Sequence, residues 1–136
     1  MTIFVDTDVV LDLLSERHPF YDDAAQLFSL ADKGAITLVV SSLCFSNLNY
    51  ILSKQYSAAS AKRYLQKFKT LVTVAAVTDK IVDLALLSTF KDFEDALQHY
   101  TALSIQADAI VTRNIKDYKS ANINVFTPQQ LLLQLP

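Results

Sequence analysis

A chain of 136 residues with a net charge of −2 and 51% hydrophobic residues can bury a proper core and is too apolar to be disordered. One cysteine and two histidines exclude an intramolecular disulfide and a structural zinc site. No apolar run approaches membrane-spanning length, and "MTIFVDTD" has neither a basic n-region nor a cleavage site, so a cytoplasmic protein with residues 1–136 in one domain is expected.

The first element is "TIFV" (2–5), a short β-branched run that reads as a buried strand. A short helix follows, from about Asp8 to Ser15. Pro19 is predicted to open a second helix, with Phe20, Ala24, Leu27, Phe28 and Ala31 at helical spacing and Gly34 at its C-terminal cap. "AITLVV" (35–40) is the second strand, and Ser41 or Ser42 caps the helix "LCFSNLNYILSKQ". "SAASAKRYLQKFKT" is a fourth helix, "LVTVAAV" (71–77) contains a third strand, and Asp79 starts a fifth helix. A sixth helix spans about 92–106, with Phe93, Ala96, Leu97, Tyr100 and Ala107 as its apolar stripe. Asp92, Asp95 and His99 fall on the opposite flank, where His99 is expected to face solvent. The strands "AIVT" (109–112) and "INVF" come next, and "TPQQ" spells a capping box with proline at the first helical position. Short apolar strands alternating with helices imply a parallel sheet covered on both faces, an α/β/α sandwich. Ligands of such sheets bind beyond the carboxyl ends of the strands.

Charge is unevenly placed. Between Lys33 and Thr78 there is no acid, while Lys33, Lys54, Lys62, Arg63, Lys67 and Lys69 all lie there. All 14 acids lie outside that stretch, and 12 of them are the short Asp, a residue of caps, turns and hard-metal sites. An acidic centre beside a basic surface suits a polyanionic substrate that needs metal help. Lys62, Arg63, Lys67 and Lys69 are the candidate nucleic-acid-binding residues, set against a plain solvated helix face.

Asp6 follows the first strand directly, with Asp8 two residues later. Asp92 and Asp95 open the helix before "AIVT", and Asn114 and Asp117 follow that strand. Each acid alone has a structural explanation: Asp92 as an N-cap with Asp95 at N3, Asp6 or Thr7 as a cap, Asp117 as a loop acid. Convergence on one edge of the sheet is the informative feature. Asp oxygens meeting there make a hard, all-oxygen environment suited to Mg²⁺ or Mn²⁺, which would offset their mutual repulsion. Asp6, Asp95 and Asp117 are the candidate catalytic and metal-binding residues, with Asp8 and Asp92 as further ligands.

Taken together, "FVDTDVVLDLL", "FSNLNYIL", "DFEDALQHYTA" and "ADAIVTRNIKDY" resemble the PIN-domain family, in particular the bacterial branch related to VapC-type toxins, which are ribonucleases paired with antitoxins. The resemblance implies a five-stranded parallel sheet between helices and Mg²⁺- or Mn²⁺-dependent cleavage of RNA. It carries family acids onto Asp6 and Asp95 and a polar cluster onto Asn114 and Asp117, with Thr112 as a hydroxyl contact. Two departures stand out: Asn47 occupies a position where many relatives have Glu, and Asn114 one where they often have Asp. A neutral amide weakens a metal site without abolishing it, and Asp8, Asp92 or Asp117 are candidates to supply the missing charge. RNA, an antitoxin protein and a second copy of the chain are the expected partners.

Two other readings compete. A PIN scaffold that binds RNA or protein after losing efficient catalysis would fit Asn47 and Asn114. "FVDTDVV" also resembles the opening of haloacid-dehalogenase-like phosphatases, but a single glycine leaves no material for their later loops, nor for a phosphate loop or a nucleophile elbow.

Overall fold

A computed structural model describes residues 1–136. The strands are β1 (Thr2–Val5), β2 (Thr37–Ser41), β3 (Thr73–Ala75), β4 (Ala109–Val111) and β5 (Asn124–Phe126). The helices are α1 (Thr7–Leu14), α2 (Tyr21–Asp32), α3 (Ser42–Gln55), α4 (Ala58–Lys69), α5 (Asp79–Leu87), α6 (Phe93–Ser104) and α7 (Pro128–Gln134). The predicted sheet forms: five parallel strands in the order β3-β2-β1-β4-β5.

Alternation along the strands sets the layers. Ile3 and Val5 of β1 join Leu38, Val40, Ala109 and Val111 on one face, packed by residues of α1, α2, α3, α4 and α7 in a cluster of 20 buried side chains. Phe4, Val39 and Ile110 point the other way, onto Ala102 of α6 and Tyr118. Ile81 and Ala85 of α5 then pack on Ala96 and Leu97 of α6. Each fully buried Val, Leu, Ile or Phe side chain contributes roughly 1.5–3 kcal/mol, so the strand ends that carry the functional residues are firmly anchored. Cys44 is buried as a small hydrophobe, and burial pushes its thiol up to about 12, which makes it inert.

The caps were legible in the sequence. Gly34, at φ 78°, follows α2, and the Gly34 and Ala35 amides return to the Ala31 and Leu30 carbonyls. Ser41 caps α3, and Thr127 with Gln130 forms the capping box of α7. Pro19 does not open α2; that helix starts at Tyr21, whose amide bonds the Arg17 carbonyl at 2.8 Å and closes a preceding turn. A 3-10 turn over Ile115–Tyr118 follows β4 and was not anticipated.

Strand β1 leads through α1 and α2 to β2 on one side, while β4 lies on its other side. The reversal of strand order between β1 and β4 is therefore the topological switch point. The Asp6 amide bonds the Val111 carbonyl at 3.0 Å across that point, which fixes Asp6 in the crevice.

Candidate active site

Asp6 is the floor of the site. Leaving β1, it is only 6% exposed, and its carboxylate accepts three hydrogen bonds. Gln98 Nε2 donates to Oδ1 at 3.1 Å, while Thr112 Oγ1 at 2.8 Å and Tyr118 OH at 3.3 Å both donate to Oδ2. Gln98 Nε2 also reaches Tyr118 OH at 3.2 Å, so α6, the end of β4 and the 3-10 turn are joined through one carboxylate. Burial and the nearby Asp8 push the Asp6 pKa up, and the three donors oppose them.

Above Asp6 opens a cavity of about 660 Å³. Its wall carries Asp6, Asp8, Asp92, Glu94, Asp95 and Asp117 together with Asn47 and Gln98, and it includes no Lys or Arg. Asp92 caps α6: its Oδ1 accepts from the Asp95 amide at 3.1 Å, so the capping role and the site role coincide. Asp95 has its carboxyl pushed up to about 7, first by burial and then by the charges of Asp6, Asp92, Asp117 and Glu94. Burial and the same acidic neighbourhood also raise Glu94, against a hydrogen bond from Asn47 Nδ2 at 2.9 Å.

This donor set is all oxygen, anionic and self-repelling, the chemistry a hard divalent cation relieves. No three of the carboxylates are gathered tightly enough to enclose an ion by themselves. Mg²⁺ commonly binds through one or two carboxylates and completes its shell with water and substrate phosphate, so the residues fit such an ion as a partial set of ligands.

The predicted residues are sorted by this geometry. Asp6, Asp8, Asn47, Asp92, Asp95 and Asp117 share the cavity. Thr112 is fully buried and spends its hydroxyl on Asp6, so it positions a carboxylate rather than meeting a substrate. Asn114 stands to the side, its amide 3.4 Å from Asp8 Oδ2. Lys62, Arg63, Lys67 and Lys69 are exposed on α4 and line no part of the cavity; Lys62 and Lys69 flank a separate groove with Phe45, Leu65 and Val74.

His99 is a correction. It is 1% exposed, lies 4.9 Å from Phe90 and 4.7 Å from Tyr100 between ring centroids, and accepts the Asn122 amide on Nε2 at 3.1 Å. Phe93, assigned to the apolar stripe, is instead 45% exposed. α6 is wedged between sheet and α5, so it buries a far wider arc than an amphipathic pattern implies. Glu94, Gln98 and Tyr118 were missed as site residues. For Glu94 the signal was present, in the acid cluster at the mouth of α6.

Comparisons with known proteins bear on this arrangement. The PIN domain family model matches residues 2–116. Ribonuclease VapC1 of Aquifex aeolicus is 26% identical, over 94% of this chain and 91% of that one. Among solved structures, FitAcB from Neisseria gonorrhoeae superposes with a TM-score of 0.73 at 16% identity, covering 93% of this chain and 98% of that one. VapBC2 from Rickettsia felis, bound to a DNA fragment from its promoter, gives 0.68 at 18%, covering 93% and 98%. VapC20 of Mycobacterium tuberculosis, a sarcin-ricin loop cleaving toxin, gives 0.64 at 18%, covering 79% and 86%. At these identities the structural matches establish the shared fold.

Proposed function

Because this chain belongs to the PIN domain family, and because its carboxylates meet at the switch point of the sheet, we propose that it is a Mg²⁺- or Mn²⁺-dependent endoribonuclease. The observation that carries the reading is the meeting of Asp6, Asp8, Asp92, Glu94, Asp95 and Asp117 in one cavity lined by no Lys or Arg. A bound divalent ion would activate water and stabilise charge developing on a phosphodiester. The chain's own groups supply the rest. Asp6 is oriented by three donors, so its oxygens keep one geometry as substrate enters. Asp95 stands among the other carboxylates, where a bound cation would hold it ionised as a ligand. Asp8, Asp92, Glu94 and Asp117 complete the anionic wall that selects a hard cation.

A toxin–antitoxin setting for this activity is supported by the fold shared with a toxin–antitoxin complex from Klebsiella pneumoniae and with VapBC2 from Rickettsia felis. An antitoxin partner is accordingly part of the proposal. Leu84 and Leu87, one turn apart on α5, are exposed apolar side chains available to the expected homodimer. No helix is long and apolar enough to cross a membrane.

The test is cleavage of mixed single-stranded and structured RNA by the purified chain with Mn²⁺ or with EDTA, alongside Asp95→Asn. Even partners of metal ligands are worth 10- to 100-fold in affinity or activity, so this substitution should cost at least roughly that much. RNA binding without cleavage by the wild type would leave the scaffold reading in place.

A further inference from the structure

The acidic cavity explains how an ion is held but not how RNA is. Its wall has no Lys or Arg, and phosphates entering it meet six carboxylates. The basic face of α4 borders none of those acids. A second cavity does. It measures about 260 Å³, lies between the 3-10 turn and the loop ahead of α6, and shares Asp92, Asp95 and Asp117 with the first.

Its remaining wall carries Lys91, Lys116 and Lys119, all exposed, with the hydroxyls of Thr89 and Ser120. Three lysines beside three carboxylates would ordinarily pair with them. Here none does: the only ion pair within 4.0 Å in the chain is Arg113 with Asp12. The three ammonium groups are thus uncommitted, on long flexible stems, at the rim of the carboxylates. We propose that this cleft seats the phosphate next to the scissile one, so that the RNA strand leaves the acidic cavity over Lys91, Lys116 and Lys119. The inference rests on the ribonuclease reading and moves the nucleic-acid contact from α4 to the 3-10 turn. Lysine suits the task, since it meets phosphate as a mobile point charge and carries no base preference.

The experiment measures fluorescence anisotropy of an end-labelled, mixed-sequence single-stranded RNA 12-mer across a KCl series. It uses the full chain with Mn²⁺, in the Asp95→Asn background that suppresses cleavage. Lys91→Gln/Lys116→Gln/Lys119→Gln should weaken binding and flatten the log–log salt slope by between about 0.7 unit, for the one seated phosphate alone, and about two units, for one phosphate per lysine along the exit path. Lys62→Gln/Arg63→Gln/Lys67→Gln/Lys69→Gln should leave the slope unchanged. An unchanged slope in the first variant, with melting showing both folded, overturns the cleft while RNA cleavage by the wild type still upholds the nuclease. Failure of the wild type to bind or cleave any RNA removes the ribonuclease reading and the cleft with it.

Discussion

The Asn47 side chain on α3 donates a hydrogen bond to Glu94 Oε1 on α6 at 2.9 Å. The family resemblance expects a glutamate at position 47, and the structure puts one beside that position from a different helix. Glu94, a residue outside Asp8, Asp92 and Asp117, the three acids considered for that role from sequence, thus brings a carboxylate to the place where Asn47 has none.

Restoring the glutamate should therefore crowd the site. Asn47→Glu places a second carboxylate against Glu94, and without metal the variant should melt a few degrees below wild type through like-charge repulsion. Saturating Mn²⁺ should then raise its melting temperature by more than it raises the wild type's, because tighter binding to the folded state adds stability. Glu94→Gln should shrink the metal-induced rise. Identical shifts in all three proteins would mean that neither position faces the ion.

The cradle around Asp6 gives a second expectation. Tyr118→Phe removes one of three donors from a buried carboxylate, at a cost of about 1–3 kcal/mol. The cost has a pH signature. The Asp6 pKa is already raised, so its share of stability is present at low pH and declines as pH rises through the folded value. Loss of a donor raises that value further, and urea titrations should show a larger deficit at pH 8 than at pH 5. A deficit independent of pH would place the cost in the lost hydrogen bond from Gln98 Nε2 to the Tyr118 hydroxyl rather than in the carboxylate.

Much of this site was legible because strands and caps are local. "TIFV" followed by Asp6, and Asp92 set three residues before Asp95, announce a strand end and a helix start without any knowledge of neighbours. What escaped depends on packing across the chain. His99 sits on the polar flank of α6 by periodicity, yet Phe90 and the Asn122 loop cover that flank. Gln98 is an ordinary mid-helix residue until β1 brings Asp6 to 3.1 Å from it. Tyr118 becomes a carboxylate partner only because the 3-10 turn folds its ring beneath the sheet edge, against Phe4 and Ile110.

Asp95 makes the metal-free protein sensitive to pH in a defined direction. Its folded pKa of about 7 lies above the ordinary 3.8, so the folded chain binds the proton more tightly than the unfolded chain does. Stability from this group is complete below about pH 4 and drains away as pH rises through 7. With EDTA present, Asp95→Asn should therefore melt higher than wild type at pH 8 and close to it at pH 4. Asp95 is partly solvent-accessible, so screening reduces the gain to on the order of 1 kcal/mol, or roughly 3–5 °C. Saturating Mn²⁺ should reverse the order at pH 8. A variant that melts lower than wild type at pH 8 in EDTA would contradict the crowding of charge at Asp95.

Behind the site, Arg113 Nε lies 3.1 Å from Asp12 Oδ2, an ion pair that ties the segment after β4 to α1. Asp12 is 1% exposed, and burial pushes its carboxyl up while Arg113 and then Arg17 pull it down. The Arg113 N–H is not aimed at the carboxylate, and neither group has another hydrogen-bond partner at those atoms. The guanidinium also lies 4.4 Å from the Phe20 ring centroid, which keeps it over the start of α2. Arg113→Met should leave Asp12 buried and uncompensated. Breaking such a pair costs 3–5 kcal/mol when both partners are buried, and about 2–3 kcal/mol is expected here because Arg113 is 26% exposed. Asp12 should then carry a still higher pKa, so the deficit should shrink as acidification neutralises it towards pH 4. Replacing both partners with apolar residues, Asp12→Leu/Arg113→Met, removes the stranded charge and should recover most of the loss. Urea titration of the single and double variants checks this. A double variant no more stable than Arg113→Met would mean that Arg113 acts through its contact with Phe20, not through the charge of Asp12.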